Sequence, residues 1–180
     1  KNLSEKPQVK ELKIEVEKLV NLFSKFSRPS IKTIQGLWAE MLVIEQSKTP
    51  DYLIQAWHNL VMDTFDFNDG TDKVEVKSTA KSRRIHNFSV DQLNPNTNSS
   101  LIIVSVLTIE TGIGKSIFDL LKSIETRLND NKSVFRLNEV VIQTLGKDFE
   151  KGFEVFYDYP LAVDSIKYYD SKVVPSINPN

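Results

Sequence analysis

Apolar residues recur along this chain at two different periods. Val9, Leu12, Val16, Leu19, Phe23 and Phe26 lie three or four apart across residues 8–27, with Lys and Glu between them. That spacing predicts an amphipathic helix. "SRPS" at 27–30 breaks it. A second stripe, Ile34, Leu37, Met41 and Ile44, predicts a helix over about 31–46, and a shorter helix is expected over 52–60. The period then drops to two. Runs at 63–68 and 73–79 flank Asn, Asp and Gly, which predicts a β-hairpin. "RIHNFSV" (84–90) reads as a third strand and "LNPNTNSS" (93–100) as a polar loop. "LIIVSVL" (101–107) is continuous and β-branched, the pattern of a strand buried on both faces. "KSIFDLLKSIETRL" (115–128) keeps Ile117, Leu120, Leu121, Ile124 and Leu128 in helical phase, and 134–145 predicts another helix. "GFEVFYDY" (152–159) and "VDSIKYYD" (163–170) alternate as strands do. This order predicts an α/β domain with a central mixed sheet. Residues 1–28 are expected to form a helical appendage and 29–180 the domain itself.

Composition narrows the picture only slightly. A chain of 180 residues, 40% hydrophobic and 26% charged, is the size of one ordinary globular domain. Its net charge of −1 says nothing of partners, so nucleic-acid binding would need local clusters of positive charge. The lack of cysteine removes disulfides, thiolate zinc sites and cysteine nucleophiles, and fits a cytoplasmic location. The longest apolar run, 101–107, is too short to span a bilayer, and no signal peptide is visible. A chain that opens on Lys1 and closes on "SINPN" is expected to be a piece of a longer protein.

The chemistry concentrates in "FDFNDGTDKVEVKST", residues 65–79. Strand side chains alternate faces, so Glu75 and Lys77 share one face and Val74 and Val76 the other. An even-length loop pairs Phe65 and Phe67 with the two valines, and the same register sets Asp66 beside Glu75 and Lys77. An odd loop would mix Phe with Glu, so burial favours the even one. Two nearby carboxylates call for a cation between them. Mg²⁺ takes oxygen ligands and keeps waters that can be turned on a phosphate. A neighbouring Lys can orient that water or offset developing charge. A bare Glu-x-Lys is weak on its own, since Glu11-Leu12-Lys13 is a second copy on a helix, and polar residues on an open hairpin face are ordinary.

Taken together, "GLWAE" on the preceding helix, "FDF", "EVKST", "SRRIHNFSVDQL" and the buried strand resemble the PD-(D/E)XK nuclease superfamily. The resemblance is to its prokaryotic members in phage-defence clusters beside ATPases and methyltransferases, and it runs from about Gln35 to the C-terminus. It implies a restriction-endonuclease-like core, a central mixed sheet flanked by helices, and Mg²⁺-dependent hydrolysis of DNA phosphodiesters, with Mn²⁺ able to substitute. Asp66 matches the motif's Asp, Glu75 its second acid and Lys77 its Lys, while Phe65 stands where the motif has Pro. Glu40 matches the helix glutamate that many of these enzymes add to the metal site, with Glu45 a competitor by helical angle. Asp63, Asp69 and Asp72 are rival acids, the last two in the turn.

Residues 71–90 hold five basic residues (Lys73, Lys77, Lys81, Arg83 and Arg84) against two acidic ones. Such clustering suits phosphate contact, although a solvated charge run has the same look. Lys81, Arg83 and Arg84, with His86 in a strand-like place beside Phe88, are the DNA-binding candidates, and the resemblance adds Gln92, which matches a Gln that several of these nucleases place after the Lys strand. Expected partners are DNA and either a second copy or an ATPase or methyltransferase of a defence complex, with no membrane.

"ETGIGKS" (110–116) resembles the end of a phosphate-binding loop, but Ile109 occupies the place of its first glycine. The plainer reading is a glycine-containing connection whose Ser starts a helix. His58 and His86 are too far apart for a local zinc motif. The non-enzymatic alternative is a nuclease-fold module that binds DNA or protein without cutting.

Overall fold

A computed structural model describes residues 33–58, 63–93 and 99–173, together with 9, 11–14, 16 and 18 of the first predicted helix. Those last residues are helical; the remainder of 8–27, positions 59–60 of the third predicted helix and 94–98 of the predicted loop lie outside the described residues.

The centre of the fold is helix α1 (Ile34–Gln46). Thr33 caps it, its hydroxyl accepting from the Gly36 N–H at 3.1 Å. The stripe predicts one buried face, yet every residue from Leu37 to Glu45 is buried. α1 is enclosed on several sides: by the sheet, by α2 (Pro50–Ala56), by α4 (Ile117–Glu125) and by α5 (Asn131–Leu145). A helix buried all round is apolar all round, and the two glutamates among these residues consequently need partners.

The sheet has the order β1-β2-β3-β6, from β1 (Phe67–Asn68), β2 (Asp72–Thr79), β3 (Ser100–Leu107) and β6 (Lys167–Asp170). β1 and β6 run antiparallel to their neighbours, while β2 and β3 run parallel along their whole length. The mixed sheet is thus the predicted one. In β3, Leu101, Ile103, Val104, Ser105 and Val106 are all buried, as a strand covered on both faces should be. The remaining elements are a short helix α3 (Val90–Leu93), a small second sheet of β4 (Glu110–Thr111) with β5 (Phe156–Tyr157), and α6 (Tyr159–Ser165). Trp38, Trp57, Phe67 and Val76 share the core with Val104, Val106 and Leu120.

Three predicted strands change. Residues 84–89 form no strand: Arg84 and His86 send their side chains to Ser105 of β3, so the segment lies across the sheet face instead of extending its ladder. Ser89 then starts α3, accepting from the Gln92 N–H at 3.2 Å. Within "GFEVFYDY", Gly152 and Phe153 belong to a 3₁₀ turn, and the strand is only Phe156–Tyr157. There Phe153 stacks on Phe118 at 3.7 Å, and a Cβ on Gly152 would meet the same ring at 3.0 Å. "VDSIKYYD" divides in two, since Asp158 caps α6 and Pro160 fits its first turn, so that Val163–Ser165 are helical and the strand begins at Lys167.

Candidate active site

Phe67 pairs with Val74 and Asn68 with Lys73 across β1 and β2, leaving the four-residue turn Asp69–Asp72. This is the even register. It sends Phe67 and Val76 to the core that α1 also lines, while alternation turns Glu75 and Lys77 to the opposite face; Phe65, expected with the first pair, lies outside that core with its ring 5.6 Å from Lys73 Nζ. Gln35 of α1 reaching Ser78 at 3.2 Å marks the α1 side of the same strand.

On that opposite face Lys77 Nζ lies 2.8 Å from Glu75 Oε1. Gln92 bridges the two, its Nε2 donating to Glu75 Oε1 at 2.7 Å and its Oε1 accepting from Lys77 Nζ at 3.3 Å. Gln92 is itself held by the Thr64 carbonyl at 3.2 Å and the Ser89 N–H at 3.1 Å. The Phe88 ring lies 5.0 Å from Lys77 Nζ. Glu75's side chain is 6% exposed and Lys77's 21%, so the pair is sheltered but reachable from solvent. Asp66 immediately precedes Phe67, the first residue of β1. Its Oδ2 accepts from the Val76 N–H at 2.8 Å, so a side chain substitutes for a strand carbonyl. That is why 64–66 bend and β1 is only two residues long.

Glu40 lies on α1. It is buried, and its Oε2 accepts from the Trp57 indole Nε1–H at 2.7 Å. Among the described residues no group of three or more His, Cys, Asp or Glu side chains is placed to hold a metal ion, so the expected Asp66–Glu75–Glu40 triad is not gathered as a unit. The rival acids have other occupations. Asp69 Oδ1 accepts the Thr71 and Asp72 N–H groups at 2.8 and 2.7 Å, building the turn. The Tyr52 hydroxyl, with those two N–H groups, pulls its carboxyl down to about 2. Asp63 faces His58 Nδ1 at 3.4 Å.

The DNA-binding candidates divide. Lys81 and Arg83 are exposed. Arg84 turns inward, donating to the Ser105 carbonyl and hydroxyl at 2.8 Å each and to the Ser165 carbonyl. His86 Nε2 lies 2.7 Å from Ser105 Oγ. Burial, then the charges of Lys77 and Arg84, hold the His86 imidazole below its ordinary 6.5. The unfolded chain therefore takes up this proton first, and stability is lost as pH falls below 6.5 toward the folded value. The melting temperature of the wild type is expected to fall more steeply from neutral to mildly acid pH than that of His86→Gln; equal slopes would refute the assignment.

Sequence reasoning did not find Trp57 as the partner of Glu40, because the two are seventeen residues apart. A second buried centre surrounds Glu45. Burial pushes its carboxyl up, but the Ser123 and Tyr159 hydroxyls, the Gln46 amide and Lys115 outweigh it, and the group ends below the usual range. Lys115 lies 3.7 Å from Glu45 Oε1 and 3.5 Å from the centre of the Tyr159 ring. The lysine of "GIGKS" thus serves as a structural cation. Ser116 forms a capping box with Asp119 at the start of α4, the plainer of the two readings of that motif.

A mixed four-stranded sheet flanked by helices, with an acid and a lysine two apart on an inner strand, defines a restriction-endonuclease-like fold. The chain belongs to the family described as "Putative PD-(D/E)XK family member, (DUF4420)", whose model matches residues 1–180. No curated protein and no solved structure matches it. Membership of that family points to a nuclease-type hydrolase. Among the described residues no helix is long and apolar enough to cross a membrane.

Proposed function

We propose that the protein is a metal-dependent DNA endonuclease whose centre is Asp66, Glu75, Lys77 and Gln92. The observation that carries this reading is the Glu75–Lys77 pair at 2.8 Å, bridged by Gln92 on an inner strand. Solvated hairpin charges would not be 6% exposed, nor held by a third side chain.

The donor set suits a hard cation, because Asp66 and Glu75 offer only oxygen. Mg²⁺ binds through one or two carboxylates and the phosphates of its substrate, keeping its waters, so a closed three-ligand cage is not required. When bound, Mg²⁺ or Mn²⁺ would lower the pKa of a water and offset charge on the phosphate. Asp66, fixed by the Val76 amide, and Glu75, fixed by Gln92, would hold it. Lys77 orients the attacking water and stabilises the charge that grows on the phosphate as the P–O bond breaks. Glu40 assists as a further carboxylate, its Oε2 held by the Trp57 indole N–H. Exposed Lys81 and Arg83 contact the DNA backbone, while Arg84 and His86 shape the segment that presents them. Cutting both strands calls for two such centres, from a second copy or a partner complex. A defence role beside an ATPase or methyltransferase follows only from the superfamily resemblance.

Nicking of supercoiled plasmid with Mg²⁺ tests the reading. Cleavage by the wild type that disappears in EDTA and in Glu75→Gln is the expected result. No cleavage with any divalent metal would favour a binding module that does not cut. Gln92→Ala, which frees Glu75 and Lys77 from their brace, is expected to lower kcat about tenfold, at the low end for a residue that orients a metal-site carboxylate. KM should hardly change, since Gln92 acts through its neighbours; a KM effect alone would make it a DNA contact instead.

A further inference from the structure

The sheet face that carries Glu75 and Lys77 continues across β3 and β6. Register sets Ile103 beside Glu75, Ser105 beside Lys77, and Tyr169 beside Ile103. Over this surface the 84–88 segment leaves an open pocket of about 480 Å³, a volume within the ordinary range of ligand sites. Two aromatic rings, Phe88 and Tyr169, line it with Ile103, and His86, Ser105 and Arg84 supply its polar part. Phe88 also faces Lys77, so one ring borders both the candidate centre and the pocket.

We propose that this pocket receives an unpaired nucleobase of the DNA strand being cut, stacked on Phe88 and Tyr169. The proposal rests on the nuclease reading and extends it to the form of the substrate. Neighbouring strands are about 4.8 Å apart, so the pocket begins one strand spacing from Lys77, within reach of a nucleoside whose phosphate lies at the lysine. Aromatic walls suit any base by its π-face. Arg84 and His86 take the Ser105 hydroxyl, so the His86 ring is the polar group that meets a base edge. The cations Lys77 and Arg84 favour a ligand that carries phosphates over a cationic one. A base stacked within a duplex cannot enter, so the strand is single at this point or its base is extruded.

The test uses a twelve-nucleotide single strand of 5-iodouracil, bound in EDTA so that nothing is cut and then photo-crosslinked. A second arm places one iodouracil within a paired duplex. Crosslinks on Phe88 or Tyr169 in the single-strand arm are the expected result, and their appearance also in the duplex arm would mark extrusion. Phe88→Ala and Tyr169→Ala should each weaken single-strand binding about 5- to 150-fold, the range for loss of one base stack. Phe88→Trp should restore binding by keeping a stacking ring, and alanine variants that melt within a few degrees of wild type exclude misfolding as the cause. Crosslinks confined to other residues, an absence of crosslinks, or alanine variants that bind like wild type would overturn the proposal. Plasmid nicking separates the two claims. Nicking retained with crosslinks elsewhere removes the pocket alone, while crosslinks on Phe88 with no nicking under any metal remove the nuclease reading alone.

Discussion

Lys77→Ala is expected to lower the rate of plasmid nicking by about 10²- to 10³-fold, the usual loss when one group that stabilises transition-state charge is removed. The same change strips Glu75 of the ammonium 2.8 Å away and leaves its nearly buried carboxylate with Gln92. Removing one member of a buried pair is costly, so the variant should also melt lower. A purely structural pair would show that second effect too, and the double variant Glu75→Gln/Lys77→Ala tells them apart. It removes both charges, so stability should recover toward wild type while nicking stays lost. Recovery of activity together with stability would mean that the pair only supports the sheet.

Trp57→Ala is expected to cost about 3–5 kcal/mol of stability, as for other buried aromatic truncations. Trp57 is fully buried, stacks on Phe67 with centroids 6.2 Å apart, and donates to Glu40 at 2.7 Å. Three things are therefore lost together: apolar burial, the stack that anchors β1, and the indole donor to a buried carboxylate. Trp57→Phe separates them. It keeps a ring against Phe67 but removes the N–H and part of the indole's bulk, so it should cost about 1–3 kcal/mol, the range for leaving a buried acceptor unsatisfied, with a small cavity adding to it. Urea unfolding midpoints give both numbers. A Trp57→Phe variant within 0.5 kcal/mol of wild type, roughly the spread of neutral surface changes, would show that Glu40 does not depend on the indole.

The hairpin was the most legible part of the molecule, because parity has physical consequences. Only the even register puts Phe67 and Val76 into one core. The buried strand 101–107 was legible for a similar reason, its continuous apolar run matching a parallel strand covered on both faces. "RIHNFSV" alternates just as a strand does, and nothing local reveals that Arg84 and His86 bind Ser105, about twenty residues ahead. Glu40 was visible as a helix glutamate, but its partner was not, since the contact with Trp57 exists only once α1 and α2 pack. Gln92 could be named from the resemblance, and its place between Glu75 and Lys77 emerges only from the fold of the 84–93 segment over the sheet. The amphipathic stripe of α1 concealed its all-round burial, because the stripe reports the strongest face and not how many neighbours surround the helix.

The most direct measurement of the central claim is anomalous diffraction from crystals of the protein soaked in Mn²⁺. The expected result is a single strong peak between the carboxylates of Asp66 and Glu75 that disappears in Glu75→Gln crystals. A peak elsewhere on the chain, or none at these residues under conditions that support nicking, would contradict the account.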